Sequence, residues 1–174
     1  MLDSLPRFGH RIALRRLFSA DLSDFQNYRH DKDVGRFQGW TPQTDEEALA
    51  FITAMSSAIL FRSGEWVQLG IADRGTNALI GDIGIRVSVE AKEAEIGFTL
   101  VAQVQRRGLA TEAVTEAIAL IFEQTKVGRV VAITDARNLP SIRLLERLGM
   151  HRIASENAVF QGEPCIEYVY ELAR

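Results

Sequence analysis

The stretch EIGFTLVAQVQRRGLATEAV, Glu95 to Val114, decides how this chain folds. Ile96, Phe98 and Leu100 alternate with Glu95, Gly97 and Thr99, which is the period-two pattern of a strand with two unlike faces. Past Gly108 the period changes. Ala110, Ala113, Val114, Ala117, Ile118, Ile121 and Phe122 recur at helical spacing and predict a helix to about Gln124. Between the two stand Arg106, Arg107 and Gly108. A helix N-terminus carries N–H groups without intrahelical partners and roughly half a positive charge from the macrodipole. Gly108 lets the backbone approach a ligand closely, and Ala110 is too small to block it. The turn therefore predicts an anion site, best suited to phosphate, held by main-chain amides with Arg106 and Arg107 adding charge. The alternative is a solvated helix start with two surface arginines. No Gly-Lys-Ser/Thr ending and no G-x-G-x-x-G follows the first strand, which sets aside triphosphate loops and dinucleotide folds.

Outward from this stretch the chain reads as strand, two helices, three strands, helix, strand, helix, two strands. HRIALRRLF is the first strand. SADLSDFQNYRHDKDVGRF and TPQTDEEALAFITAMSSAILF are the two helices. The second opens on a Thr44/Glu47 capping box, and Leu49, Ile52, Met55 and Ile59 form its buried stripe. EWVQLGIAD and LIGDIGIRVSVE are strands joined by RGTNA, and EAEIGFTLV is the third of that meander. RVVAITDA follows the long helix as a β-branched strand. NLPSIRLLERLG is a short helix with Pro140 in its first turn and Gly149 as its stop, and a terminal strand pair completes the chain. The expected parallel pair joins the strand ending near Leu100 to the one starting near Arg129. The class is mixed α/β in a single domain over residues 1–174.

The 174 residues suit one domain with a sizeable core, and 47% apolar with 25% charged residues is ordinary for a globular chain. The formal net charge of −3 argues against nucleic acid as partner, despite local clusters at Arg11, Arg15, Arg16 and at Arg106, Arg107. The N-terminus MLDSLPRFGH has no apolar run, and no apolar stretch reaches a membrane span, so a cytoplasmic protein without a membrane partner is expected. Cys165, the single cysteine, excludes an intramolecular disulfide and reads as a small core residue. His10, His30 and His151 have no metal-ligand spacing, and no metal is expected.

Gln105-x-x-Gly108-x-Ala110 matches the acetyl-CoA signature Q/R-x-x-G-x-G/A, between a strand and an amphipathic helix as that signature requires. Asn138, Ser141 and LLERLGM follow about thirty residues on. With these motifs the sequence resembles the GCN5-related N-acetyltransferases (GNAT). FQGWTPQTDEEALAFI, GDIGI and EAEIGF resemble the branch holding the ribosomal-protein N-terminal acetyltransferases of RimJ/RimL type. The resemblance spans nearly the whole chain. It implies a largely antiparallel central sheet with helices on both faces and acetyl-CoA as cofactor. The amides of Arg106, Arg107, Gly108, Leu109, Ala110 and Thr111, with Gln105 ahead of them, would cradle the pyrophosphate. Pantetheine would pair with Leu100 and Val101 like an added strand, and Asn138 and Ser141 would lie near the thiol. Dimers occur among the proteins it resembles, and a homodimer is compatible with the sequence.

Acetyl transfer needs a neutral amine, a donor for the carbonyl oxygen and stabilisation of the leaving thiolate. Glu95 is the candidate base, because Gly97 on its strand face leaves room for a substrate; a structural glutamate on a polar face is the other reading. The superfamily's usual acid is a tyrosine in the helix after the Asn, where this chain has Leu145. Ser141 replaces it as candidate, or serves only as a local hydrogen-bonding group. A backbone N–H near Leu100 or Val101 is the expected oxyanion donor. Phe37, Trp40 and Asp82 are the acceptor-binding candidates; Glu65 and Arg86 are weaker ones. The acceptor is a protein N-terminal amine by resemblance, or a small amine such as a polyamine, amino acid or antibiotic. A non-catalytic acyl-CoA-binding module is a further alternative.

Overall fold

The computed structural model describes residues 4–174. Residues 1–3, part of the N-terminus read above as free of a secretory signal, lie outside the described residues. The strands are β1 (Arg7–Phe8), β2 (Ile12–Arg15), β3 (Trp66–Asp73), β4 (Leu79–Val87), β5 (Glu93–Leu100), β6 (Arg129–Asp135), β7 (His151–Phe160) and β8 (Glu163–Ala173). The helices are α1 (Leu22–Arg29), α2 (Lys32–Gly35), α3 (Asp45–Ser57), α4 (Leu109–Gln124) and α5 (Leu139–Arg147). The strands make one sheet in the order β1-β2-β3-β4-β5-β6-β8-β7, with β5 and β6 its parallel pair. Among the described residues no helix is long and apolar enough to cross a membrane.

The period-two face of β4 and β5 fixes this arrangement. Ile83 lies opposite Phe98 and Ile85 opposite Ile96, and these rows pack with Ala113, Val114, Ala117 and Ile121 of α4 in the main core. On the opposite face α1 and α3 bury Phe25, Tyr28, Ala48 and Ile52. Helices therefore cover both faces, as the resemblance implies.

Two helix readings are corrected. The segment from Ser19 to Phe37 is not one helix. Asp31 adopts an extended conformation, and its carboxylate accepts the N–H groups of Asp33 at 2.9 Å and Val34 at 3.2 Å. A short acidic side chain there outcompetes the helical backbone and starts α2 afresh. The capping box of α3 forms as expected, with Glu47 accepting the Thr44 N–H and Thr44 accepting that of Glu47. Its buried residues, however, are Ala48 and Ile52; Leu49 is exposed, and Ile59 is exposed beyond the helix end. Phe51 and Met55 pack partly buried beside Ala48 and Ile52, so the covered stripe runs through positions 48, 51, 52 and 55 and leaves Leu49 outside it. Cys165 is half-buried rather than in the core.

The meander closes tightly at Gly81, opposite Leu100. A Cβ there would stand 2.1 Å from the carbonyl oxygen of Thr99, a main-chain atom that cannot step aside. Gly81→Ala should therefore cost about 3 kcal/mol of folding stability, measured by urea denaturation; a cost near zero would mean that β4 and β5 are not held this closely.

Candidate active site

β5 and β6 pair from Glu93 opposite Arg129 to Ile96 opposite Ala132, and the ladder stops there. β4 keeps β5 extended to Leu100, while β8 keeps β6 extended to Asp135, so the two strands part. Parting exposes the main-chain groups of β5 that would have met β6. The Phe98 carbonyl accepts the Gln38 side-chain amide at 3.2 Å, and the Leu100 carbonyl accepts that of Gln105 at 2.9 Å. The Val101 N–H is donated to Ile80 at 2.9 Å, toward β4. One residue back along the extended chain, the Leu100 N–H faces the opposite way, into the opening. Of the two expected oxyanion donors, Leu100 is therefore the one turned toward it, and Val101 is already engaged.

From Leu100 the chain runs through a short 3-10 turn, Ala102–Val104, to Gln105. Arg106 has φ +61 and Gly108 φ +78, so two left-handed residues flank Arg107. Such alternation turns successive amides into one concavity. α4 begins directly after Gly108 with no side-chain cap, which leaves the amides of Leu109, Ala110 and Thr111 without an intrahelical acceptor. Arg106 and Arg107 are exposed beside them. The expected phosphate-loop residues thus converge at one place, next to the mouth of the parted strands.

Asn138 and Ser141 lie at the start of α5, just past the end of β6. Asn138 is the N-cap, and its side-chain oxygen accepts the Ser141 N–H at 3.4 Å. Ser141 is half-buried. Leu145, where the superfamily's tyrosine would stand, is 0% exposed in the core, so that position offers no proton donor.

The sheet face opposite α4 carries two rows across the strands. Trp66, Arg86, Glu95 and Val131 form one, and Gln68, Gly84 and Gly97 the next. A Cβ on Gly84 would meet Gln68 and Trp66 within 3.3 Å, whereas one on Gly97 would meet nothing within 4 Å. The space over Gly97 is open, and Glu95 borders it. Ile133, two residues beyond Val131 on the same face, is 46% exposed although it sits on an interior strand. Trp66 is 43% exposed. Burial lifts the Glu95 carboxyl above the usual range, Arg86 works against this, and Glu93 and Glu167 add to it.

The acceptor candidates separate. Phe37 is half-buried next to Gln38, with the Arg36 guanidinium 5.0 Å and the Arg137 guanidinium 5.7 Å from its ring centre. Trp40 turns away and packs on Arg29, 4.6 Å from its ring. Asp82 is only 1% exposed. Its carboxylate accepts the Tyr28 hydroxyl at 2.5 Å, Arg29 at 2.8 Å and Gln68 at 2.7 Å. It is closed off from an acceptor and ties α1 to the sheet instead. Burial first, then the Asp82 charge, pushes the Tyr28 phenol well above its ordinary value. Among the described residues, the Arg29 Nε and the Trp40 indole N–H are buried without a hydrogen-bond partner. Glu65 lies in an exposed pair with Arg62 at 3.6 Å. Gln38 and Gln68 were not singled out from the sequence; lone glutamines carry no pattern, and only the neighbourhood of Phe37 and Gly97 gives them meaning.

Residues 11–151 match the family described as Acetyltransferase (GNAT) domain. Uncharacterized N-acetyltransferase YoaA of Bacillus subtilis (strain 168) is 25% identical over 168 residues, 94% of each chain. An acetyltransferase (GNAT family) from Bacillus anthracis superposes with a TM-score of 0.84 at 23% identity, covering 95% of this chain and 96% of that one. RimL, the ribosomal L7/L12 alpha-N-protein acetyltransferase in complex with coenzyme A, does so with a TM-score of 0.80 at 13% identity, over 97% of both chains. The two structures share the fold.

The Asp82 network has a measurable consequence. Asp82→Ala leaves Arg29 as an uncompensated buried charge, and a loss of about 3–5 kcal/mol of stability is expected from denaturant unfolding. A variant as stable as the parent, with altered acceptor affinity, would return Asp82 to the acceptor site.

Proposed function

The chain belongs to the GNAT acetyltransferase family, and from that premise we propose that it moves an acetyl group from acetyl-CoA directly to a primary amine, with a protein N-terminal α-amine as acceptor. The observation that carries the reading is the juxtaposition of two features. An uncapped helix N-terminus with left-handed Arg106 and Gly108 adjoins a strand that has left its neighbour after Ile96.

The residues present fit the cofactor. The amides of Arg106 to Thr111 would hold the diphosphate, and the exposed edge of β5 at Leu100 would take the pantetheine arm. Acetyl-CoA supplies an acetyl group activated as a thioester. The Leu100 N–H, turned into the opening, would stabilise negative charge on a thioester carbonyl oxygen placed there. Glu95 takes a proton from the incoming ammonium, directly or through water, so that the amine attacks neutral. Ser141, at the first turn of α5, is the remaining candidate to steady the leaving thiolate.

An α-amine, with an ordinary pKa of about 7.7–8.0, needs less help to become neutral than a lysine-type amine at about 10.4. The apolar flanks supplied by Trp66 and Ile133 suit a peptide lying across the open face over Gly97. Thiol release with acetyl-CoA and a panel of short peptides, polyamines and amino acids tests the acceptor class. Turnover confined to small amines would replace the N-terminal reading. Cofactor binding with no thiol release from any amine would leave a binding module.

Two variants test the assignments. Gly108→Glu places bulk and negative charge at the amide concavity, and calorimetry should then show no acetyl-CoA binding by a folded protein; unchanged affinity would refute the phosphate site. Glu95→Gln should lower kcat by about 100-fold with cofactor affinity retained. In the parent, kcat/KM should rise with pH through a limb lying above the ordinary carboxylate range, because Glu95 is raised, and the variant should lack that limb. The same shift acts on stability. The native carboxyl keeps its proton to higher pH than the unfolded one, so the parent loses stability as pH rises between those two values. The glutamine variant should not lose stability over that window. Equal rates in both proteins would leave Glu95 as scaffold.

A further inference from the structure

Arg11 lies in the turn from β1 to β2, distant in sequence from the loop at Arg106–Gly108 and in contact with it in space. Its Nη1 donates to the Arg107 carbonyl at 2.9 Å, and its Nε donates to the Glu112 carboxylate at 3.1 Å. That carboxylate also accepts the backbone N–H of Arg11 at 2.5 Å and of Ile12 at 3.3 Å. A Cβ built on Gly108 would lie 3.3 Å from Arg11 Nη2, so the guanidinium runs alongside the left-handed glycine. One side chain thus joins the β1–β2 turn, the carbonyl side of the loop and the first turn of α4.

Two physical problems of the loop meet at this side chain. Arg106 is left-handed without being glycine, a conformation disfavoured by its Cβ, and such residues persist only where the surroundings fix them. Arg107, the residue between the two left-handed positions, is the one whose carbonyl Arg11 holds. A carbonyl swinging into the amide concavity would present negative charge to an anion. Glu112 is the second problem, because it places a carboxylate in the first turn of α4, beside the same amides. Unpaired, it would repel a diphosphate; paired with Arg11, its charge is largely offset.

We propose that Arg11 is a positioning residue of the diphosphate site, clamping the Arg107 carbonyl outward and pairing with Glu112 so that the loop amides stay turned toward the anion. The proposal rests on the acetyl-CoA reading above. It assigns Arg11 no contact with the reacting atoms. It also separates Arg11 from Arg106 and Arg107, which are exposed at the loop.

The test compares three ligands and two variants. The ligands are coenzyme A, dephospho-coenzyme A, which lacks the 3′-phosphate, and S-acetylpantetheine, which lacks the diphosphate. The variants are Arg11→Gln and Arg11→Lys. Arg11→Gln should weaken both nucleotide-bearing ligands alike, by about tenfold, and leave the KM for S-acetylpantetheine unchanged. With acetyl-CoA its KM should rise while kcat at saturation is kept. Arg11→Lys keeps the charge but cannot span both acceptors, and it should behave as Arg11→Gln does. Loss for coenzyme A alone would make Arg11 a direct 3′-phosphate ligand and overturn the proposal. Equal loss for all three ligands would reduce Arg11 to a general fold contact, and full recovery in Arg11→Lys would reduce it to charge. Should Arg11→Gln fail to fold, the lysine variant alone decides between these outcomes. A parent protein that does not prefer acetyl-CoA to S-acetylpantetheine would overturn the diphosphate reading and this proposal together. A parent that does prefer it, matched by both variants, would overturn only the role of Arg11.

Discussion

The ladder between β5 and β6 ends at Ile96 and Ala132, and the rest of the site depends on that ending. Each strand is held beyond this point by its other neighbour, β4 for β5 and β8 for β6. A sheet interior normally hides its main-chain donors and acceptors in pairs, and leaving them bare is unfavourable. Here the bare carbonyls of Phe98 and Leu100 are satisfied by the amides of Gln38 and Gln105. The opening is therefore stable, yet its hydrogen-bonding groups remain at the surface of a cleft. The same divergence delivers the chain to the start of α4 and sets the amide concavity at the mouth of the cleft.

A second constraint comes from charge. Asp82 and Arg29 are both buried, and Tyr28 and Gln68 complete the shell of the carboxylate. Phe25 and Trp40 lie 4.5 Å and 4.6 Å from the guanidinium on the other side. Placing α1 against β4 in this way fixes where the chain leaves α1, and so where Phe37 and Gln38 arrive. The loop that reaches the opening is thus positioned from a charged core on the far side of Asp82. Asp82 acts on the site through this framework, and the open floor over Gly97 is bordered by Glu95 instead.

The alternation in EAEIGFTLV was sufficient to place Ile96, Phe98 and Leu100 on the main-core face and Glu95 and Gly97 on the other, because period two leaves no freedom once one face is apolar. β4 departs from it at its start, where the irregularity opposite Ile71 and Ala72 turns Ile80 to the main core and Leu79 to the second one. The helix start after Gly108 and the capping box at Thr44 were legible for a similar reason: both are local, made by residues three or four apart. The break at Asp31 was missed, since it turns on whether one carboxylate bonds its own backbone or leaves the helix intact. The burial of Asp82 was not legible, because nothing in the sequence tells a solvated strand aspartate from one that meets an arginine of α1 far away in the chain.

By itself, then, the sequence determined the two faces of β5, the mixed α/β class and the turn of free amides before α4. These follow from periodicity and backbone stereochemistry within short windows. Tertiary structure alone decided that β5 and β6 separate after Ile96, that Asp82 is sealed by Tyr28, Arg29 and Gln68, and that Arg11 meets Arg107 and Glu112. Those outcomes depend on how side chains remote in sequence compete for one place, and such competition is resolved only when the sheet is assembled and its charges must find partners.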